Sequence, residues 1–212
     1  MNWKKITLLA LSMFLLQGIR MVFKTLIFLC VNRTLLADAI VSSAFMLIIS
    51  IVLLLIAEHR KKQISMLPEK HRNAYIFFSV SVFLLFFIKA VMAGNESFYA
   101  VCTLLYNAIF TVIMEELLFR GYFWAELADG AKSDRQVYFV TSILFGFWHL
   151  GYIDTILWRT AMFHADADIG IIMIWKVITG LVFGAILGFF RYRNKNVSAP
   201  ILLHSFLNLI GG

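Results

Sequence analysis

The chain has 212 residues, 61% of them hydrophobic and only 15% charged, with a formal net charge of +7 and a mean hydropathy of +0.85. A soluble domain carries about a quarter of its residues as charges, so this composition excludes an ordinary soluble domain and implies a polytopic helical membrane protein. The positive charge sits in short loops between apolar runs, which is a pattern of membrane orientation and not of nucleic-acid binding.

Roughly 20 apolar residues suffice to cross a bilayer. In chain order, the apolar segments are 5–31, 35–57, 74–93, 99–124, 137–158, 170–190 and 197–211. The expected fold is all-α, with about seven transmembrane helices in one bundle and residues 1–212 forming a single integral membrane domain. The first segment follows a basic start, "MNWKK", as a signal peptide does. It lacks a small-x-small cleavage site and runs into further apolar sequence, so it reads as a retained span. Cys30 and Cys102 fall inside apolar segments and read as packing residues.

Four regions flank the spans on one side: Lys4 and Lys5, residues 58–72, residues 125–136 and residues 191–196. Together they carry 12 lysines and arginines, against Arg33 and Arg159 on the other side. The positive-inside rule then predicts a cytoplasmic N-terminus and an outer C-terminus. The setting fits a bacterial cell membrane.

Ionisable side chains at membrane depth are costly and carry a functional reading by default. Some have simpler explanations. Gln17, Arg20 and Lys24 share one face of the first span and read as facing polar neighbours. Lys89 and Lys176 lie near span ends and can snorkel to the headgroups. His164, Asp166 and Asp168 in an outer loop read as a solvated acidic patch.

Three places resist such readings. Glu116 and Arg120 are i and i+4 on a helix and suited to an ion pair, while Glu115 projects about 100° away from Glu116. Phe145 and His149 are four apart, with Ser142 a turn before. His204 and Asn208 are four apart in the last segment. If the spans are centred near 113, 147 and 204, then Glu115, His149 and His204 all lie near mid-membrane.

At these residues the sequence resembles the CPBP family of intramembrane proteases, also called the Abi or CAAX-protease family, which includes the type-II CAAX prenyl endopeptidases. The family pattern is Glu-Glu-x-x-x-Arg, Phe-x-x-x-His and His-x-x-x-Asn/Asp on separate helices. It is matched in order by Glu115-Glu116-Leu-Leu-Phe-Arg120, Phe145-Gly-Phe-Trp-His149 and His204-Ser-Phe-Leu-Asn208. The resemblance covers residues 112–208 and implies an endopeptidase acting on a membrane-associated peptide or protein within the lipid bilayer. It implies Glu115 as general base on a water, assisted by His149. It further implies that His204 and Asn208 hold that water or stabilise the oxyanion, with Glu116 and Arg120 orienting the site.

Metal dependence stays open on the residue types. Glu115, His149 and His204 match in number the three protein ligands of a catalytic divalent metal such as zinc, and the same set suits a metal-free glutamate-type protease. A second reading is a non-proteolytic immunity or scaffold protein of the same family that binds a peptide partner in the same cavity. A third, a proton-coupled transporter, predicts repeat symmetry or broken helices.

Overall fold

The computed structural model describes residues 3–62, 64–66, 68 and 72–211. Among them, seven helices follow in chain order: α1 (Trp3–Cys30), α2 (Leu35–His59), α3 (Arg72–Glu96), α4 (Phe98–Ala128), α5 (Asp134–Met162), α6 (Ile169–Asn194) and α7 (Ser198–Gly211). No strand occurs among the described residues. The first six are long and apolar enough to cross a membrane. The seventh has 14 residues, about 21 Å at the helical rise, so the last of the expected spans is a shorter apolar helix. The protein is a multi-pass membrane helical bundle.

Local chemistry explains where the helices begin. Thr34 Oγ1 accepts the amide of Ala37 at 3.1 Å to start α2, and Ser97 Oγ accepts that of Ala100 at 3.1 Å to start α4. Asp168, read from sequence as part of a solvated patch, caps α6 by accepting from Ile171 N at 3.1 Å. Helix α6 ends at Lys195 in the left-handed conformation. The buried Asn196 then accepts from Ala199 N at 3.0 Å and Ser198 Oγ at 2.9 Å to start α7.

Two helices depart from regular α geometry, and both departures lie at the site. Helix α4 contains two π-helical stretches, Tyr106–Phe110 and Leu117–Phe123, on either side of the α-helical Thr111–Glu116. Such stretches widen the turn and re-aim side chains, and they recur at functional sites. Helix α5, expected from sequence as a continuous span, is interrupted by a 3-10 segment at His149–Tyr152.

An interrupted helix frees carbonyls, and in a membrane these need internal donors. The polar stripe of α1 provides them. Gln17 Nε2 donates to Trp148 O at 3.0 Å, and Arg20 donates to Gly151 O and to the Asp154 carboxylate. Lys24 pairs with Asp38 at 2.9 Å, and Arg33 with Asp38 at 2.7 Å. These residues therefore meet polar neighbours, as their shared face suggested.

Helices α5 and α6 make the most extensive packing in the bundle, and small residues permit it. A Cβ on Gly184 would meet Ser142 O at 2.6 Å, and one on Gly188 would meet Ser142 Oγ at 2.8 Å. Gly180, Gly184 and Gly188 form a stripe at four-residue spacing, the membrane-helix device for close backbone approach.

Ion pairs gather several of the basic regions at one end of the bundle. Lys5, Arg60 and Lys62 surround Glu126 at 3.3 to 3.6 Å, and Lys195 pairs with Asp134. Lys62 also pairs with Asp129. That hydrogen bond holds the Asp129 carboxyl below its ordinary value and the Lys62 ammonium above its own. Lys70, one of the cations counted from sequence, lies outside the described residues. Cys30 and Cys102 are free thiols.

Candidate functional site

Glu115 and Glu116 are adjacent in sequence and both buried, yet they meet different surroundings. Glu116 is fully enclosed at 0% exposure, as is Arg120. Arg120 Nη1 donates to Glu116 Oε1 at 3.1 Å across the first turn of the second π stretch. The other arm of the guanidinium donates to Gly184 O at 3.1 Å, and its plane lies 4.3 Å from the Phe145 ring centroid. Ser142 Oγ donates to the same Gly184 carbonyl at 2.8 Å. Arg120 thereby ties α4 to α5 and α6.

Glu116 Oε1 also meets His204 Nδ1 at 2.9 Å. An ionised carboxylate only accepts, so Nδ1 carries the proton in this contact and Nε2 of a neutral His204 keeps its lone pair. His149 stands similarly, with Nδ1 2.9 Å from the Phe145 carbonyl. A carbonyl cannot donate, so His149 Nδ1 is the protonated nitrogen and its Nε2 is the free acceptor. Phe145 separates the two imidazoles, with ring centroids 5.1 Å from His149 and 6.0 Å from His204.

Glu115 faces the other way. Its Oε1 accepts from Trp148 Nε1 at 2.8 Å and from the Tyr152 hydroxyl at 2.8 Å. Its Oε2 has no donor among the described residues, and the side chain lines a cavity of about 700 Å³. His149, His204 and Asn208 line the same cavity, whereas Glu116 and Arg120 lie behind its wall. Asn208 Nδ2 donates to Asn107 O at 2.8 Å, and Ser205 Oγ donates to Ala108 O at 2.9 Å. The first π stretch of α4 thus supplies the carbonyls that strap α7 in place.

The cavity is also lined by Asp38, Thr103, Thr155, Arg159 and Lys176. These lie toward the Cys30, Leu35, Phe98, Met162 and Ile169 ends of the helices, away from the basic regions. Glu115, His149 and His204 stand at its inner end. The layer beyond them toward the basic regions includes Glu116, Phe119, Arg120 and Phe145, each fully enclosed.

The four cavity-lining residues singled out from sequence come together here, and the two orienting residues stand directly behind them. Trp148, Tyr152 and Gly180 were missed. Trp148 and Tyr152 are four apart and share a face with Phe145, so the spacing held a signal for the first two. Gly180 is revealed only by packing, because a Cβ there would meet His149 Nδ1 at 2.6 Å. For a metal, the geometry offers no ready set: among the described residues, no three His, Cys, Asp or Glu side chains stand together as ligands. In Glu115, His149 and His204, the side-chain atoms without a partner among the described residues are Glu115 Oε2, His149 Nε2 and His204 Nε2.

A family model described as type II CAAX prenyl endopeptidase Rce1-like matches residues 95–210, more than half of the chain. The match includes every residue of the cavity's inner end. No curated protein and no solved structure matches the chain.

Proposed function

Because the chain belongs to the type II CAAX prenyl endopeptidase Rce1-like family, we propose that it is an intramembrane endopeptidase in which a Glu115-activated water hydrolyses a peptide bond of a membrane-associated peptide or protein. The observation that carries this reading is the split between the two glutamates. Both glutamates meet their partners through Oε1, but among the described residues Glu116 Oε2 is buried without a partner, whereas Glu115 lines the cavity and its Oε2 is free.

Glu115 Oε2 takes a proton from water as the water oxygen attacks the scissile carbonyl carbon. Trp148 and Tyr152 hold the other oxygen, so the carboxylate cannot rotate away from the nucleophile. His149 Nε2, a lone-pair acceptor in its neutral form, holds the second hydrogen of that water. The negative charge that develops on the carbonyl oxygen is met by Asn208, whose amide has a second N–H beyond the one given to Asn107. Donors pre-aimed at such an oxyanion are worth several kcal/mol in a water-poor site. His204, its Nδ1 held by Glu116, offers Nε2 to the same attacking water. The proton taken by Glu115 passes to the amide nitrogen as the C–N bond breaks.

The sequence pattern and the ion pairs at one end support a cytoplasmic N-terminus and an outer C-terminus, with the cavity open on the outer side. A peptide or membrane-protein terminus reached from that side, or from within the bilayer, is the substrate class that fits a bacterial cell membrane.

The test compares peptide termini in membranes and medium of two strains, one expressing the wild type and one Glu115→Gln at matched level. Termini present only with the wild type are expected. Identical termini would shift the reading to a peptide-binding immunity or scaffold protein.

A further inference from the structure

We propose that Arg159 and Lys176 form a cationic rim that selects substrates carrying a carboxylate near the bond to be cut, an inference that rests on the endopeptidase reading. Both residues line the same cavity as Glu115. Arg159 lies near the end of α5, and Lys176 lies seven residues into α6, about 10 Å along its axis.

The other cations near the cavity all have carboxylate partners. Arg20 meets Asp154, Lys24 and Arg33 meet Asp38, and Arg120 meets Glu116. Arg159 and Lys176 alone among the cavity's cations have neither an ion-pair nor a hydrogen-bond partner among the described residues. Two exposed like charges on the wall of one cavity repel each other and gain nothing within the protein. An anion seated between them removes that repulsion and forms charge-assisted hydrogen bonds, which are about twice as strong as neutral ones. The polar groups of Asn107, Thr155 and Thr179 on the same wall can meet the peptide's amides. Lys89 and Lys176 can both snorkel to the headgroups, but of the two only Lys176 lies on the cavity wall.

The rim is tested by binding, so that its failure is separable from a failure of proteolysis. Glu115→Gln protein in phosphatidylcholine nanodiscs is titrated with a fluorescent apolar peptide bearing one central aspartate and an amidated end. Its asparagine twin and that twin with a free carboxyl terminus serve as comparisons, and anisotropy gives the Kd values. Either carboxylate-bearing peptide is expected to bind at least about tenfold more tightly than the amidated asparagine twin. Which of the two does so identifies a side-chain or a terminal carboxylate as the recognised group. Adding R159Q and K176Q should abolish the difference, and adding R159E and K176E should reverse it in favour of a lysine peptide. Equal affinities for all three peptides, or a preference that survives the Gln substitutions, would overturn the rim. So would loss of the preference only when phosphatidylglycerol is added, because the cations would then be holding lipid headgroups. Failure of every preparation, wild type included, to cut membrane peptides would instead count against the endopeptidase reading and leave the binding result standing.

Discussion

Replacing Arg120 by methionine removes a fully buried charge and leaves Glu116 behind without its guanidinium. The structure gives three losses: the 3.1 Å bond to Glu116, the 3.1 Å bond to Gly184 O and the stacking on Phe145 at 4.3 Å. A hydrogen bond involving a charged group contributes about 1.5–3 kcal/mol, and a cation–π contact about 0.5–2 kcal/mol. Their sum, about 3.5–8 kcal/mol, reaches above the cost of about 3–5 kcal/mol for removing one partner of a buried ion pair, because the guanidinium also holds Gly184 O. Removing both charges avoids the stranded carboxylate, so E116Q/R120M should be about 2 kcal/mol more stable than R120M, although the Gly184 bond and the stacking stay lost. Denaturant unfolding of the four proteins in detergent micelles, arranged as a double-mutant cycle, measures this directly. A coupling of about 2 kcal/mol is expected. If R120M costs less than about 1 kcal/mol, or if E116Q/R120M is no more stable than R120M, the ion pair does not hold this layer together and the reasoning fails.

Other outcomes follow from particular contacts. Gly180→Ala places a methyl group 2.6 Å from His149 Nδ1, so the imidazole must shift and kcat should fall by about tenfold or more, a larger loss than any fall in Tm explains; steady-state kinetics beside a melting curve checks this. Tyr152→Phe keeps the ring but removes one of the two donors on Glu115, and should lower kcat by about tenfold while leaving KM similar. Arg20→Leu withdraws the donors to Gly151 and Asp154 around the α5 interruption and should lower both stability and activity, which unfolding and turnover assays would show. With the native thiols replaced, a cysteine at Asn107 should react with a membrane-impermeant maleimide in intact cells, and one at Lys132 only after permeabilisation. The reverse pattern would invert the proposed orientation.

Much of this arrangement was legible in the sequence because a membrane makes polar residues conspicuous. The spans follow from length and hydropathy alone. Glu115, Glu116, Arg120, His149, His204 and Asn208 stand out because each is expensive at depth, and the i, i+4 spacing identified the Glu116–Arg120 pair. Less visible was what the polar residues of α1 were for. Gln17 and Arg20 serve carbonyls freed by the interruption at His149–Tyr152, and the apolar run around that segment conceals the break. The π stretches of α4 leave no residue pattern, since the same side chains suit a regular helix. The contact between Gly180 and His149 depends on how α5 and α6 approach each other, which hydropathy does not encode. His204 shows the same limit: its spacing to Asn208 was readable, but its bond to Glu116 joins residues 88 apart.

The most direct test of the account is hydrolysis by purified protein in ¹⁸O-labelled water, with wild type and Glu115→Gln given the same membrane-peptide pool. The account predicts new carboxyl termini carrying one ¹⁸O with the wild type and none with the Gln variant. New termini forming at equal rates in both preparations would contradict it, because the bond would then be cut without the carboxylate on which the mechanism depends.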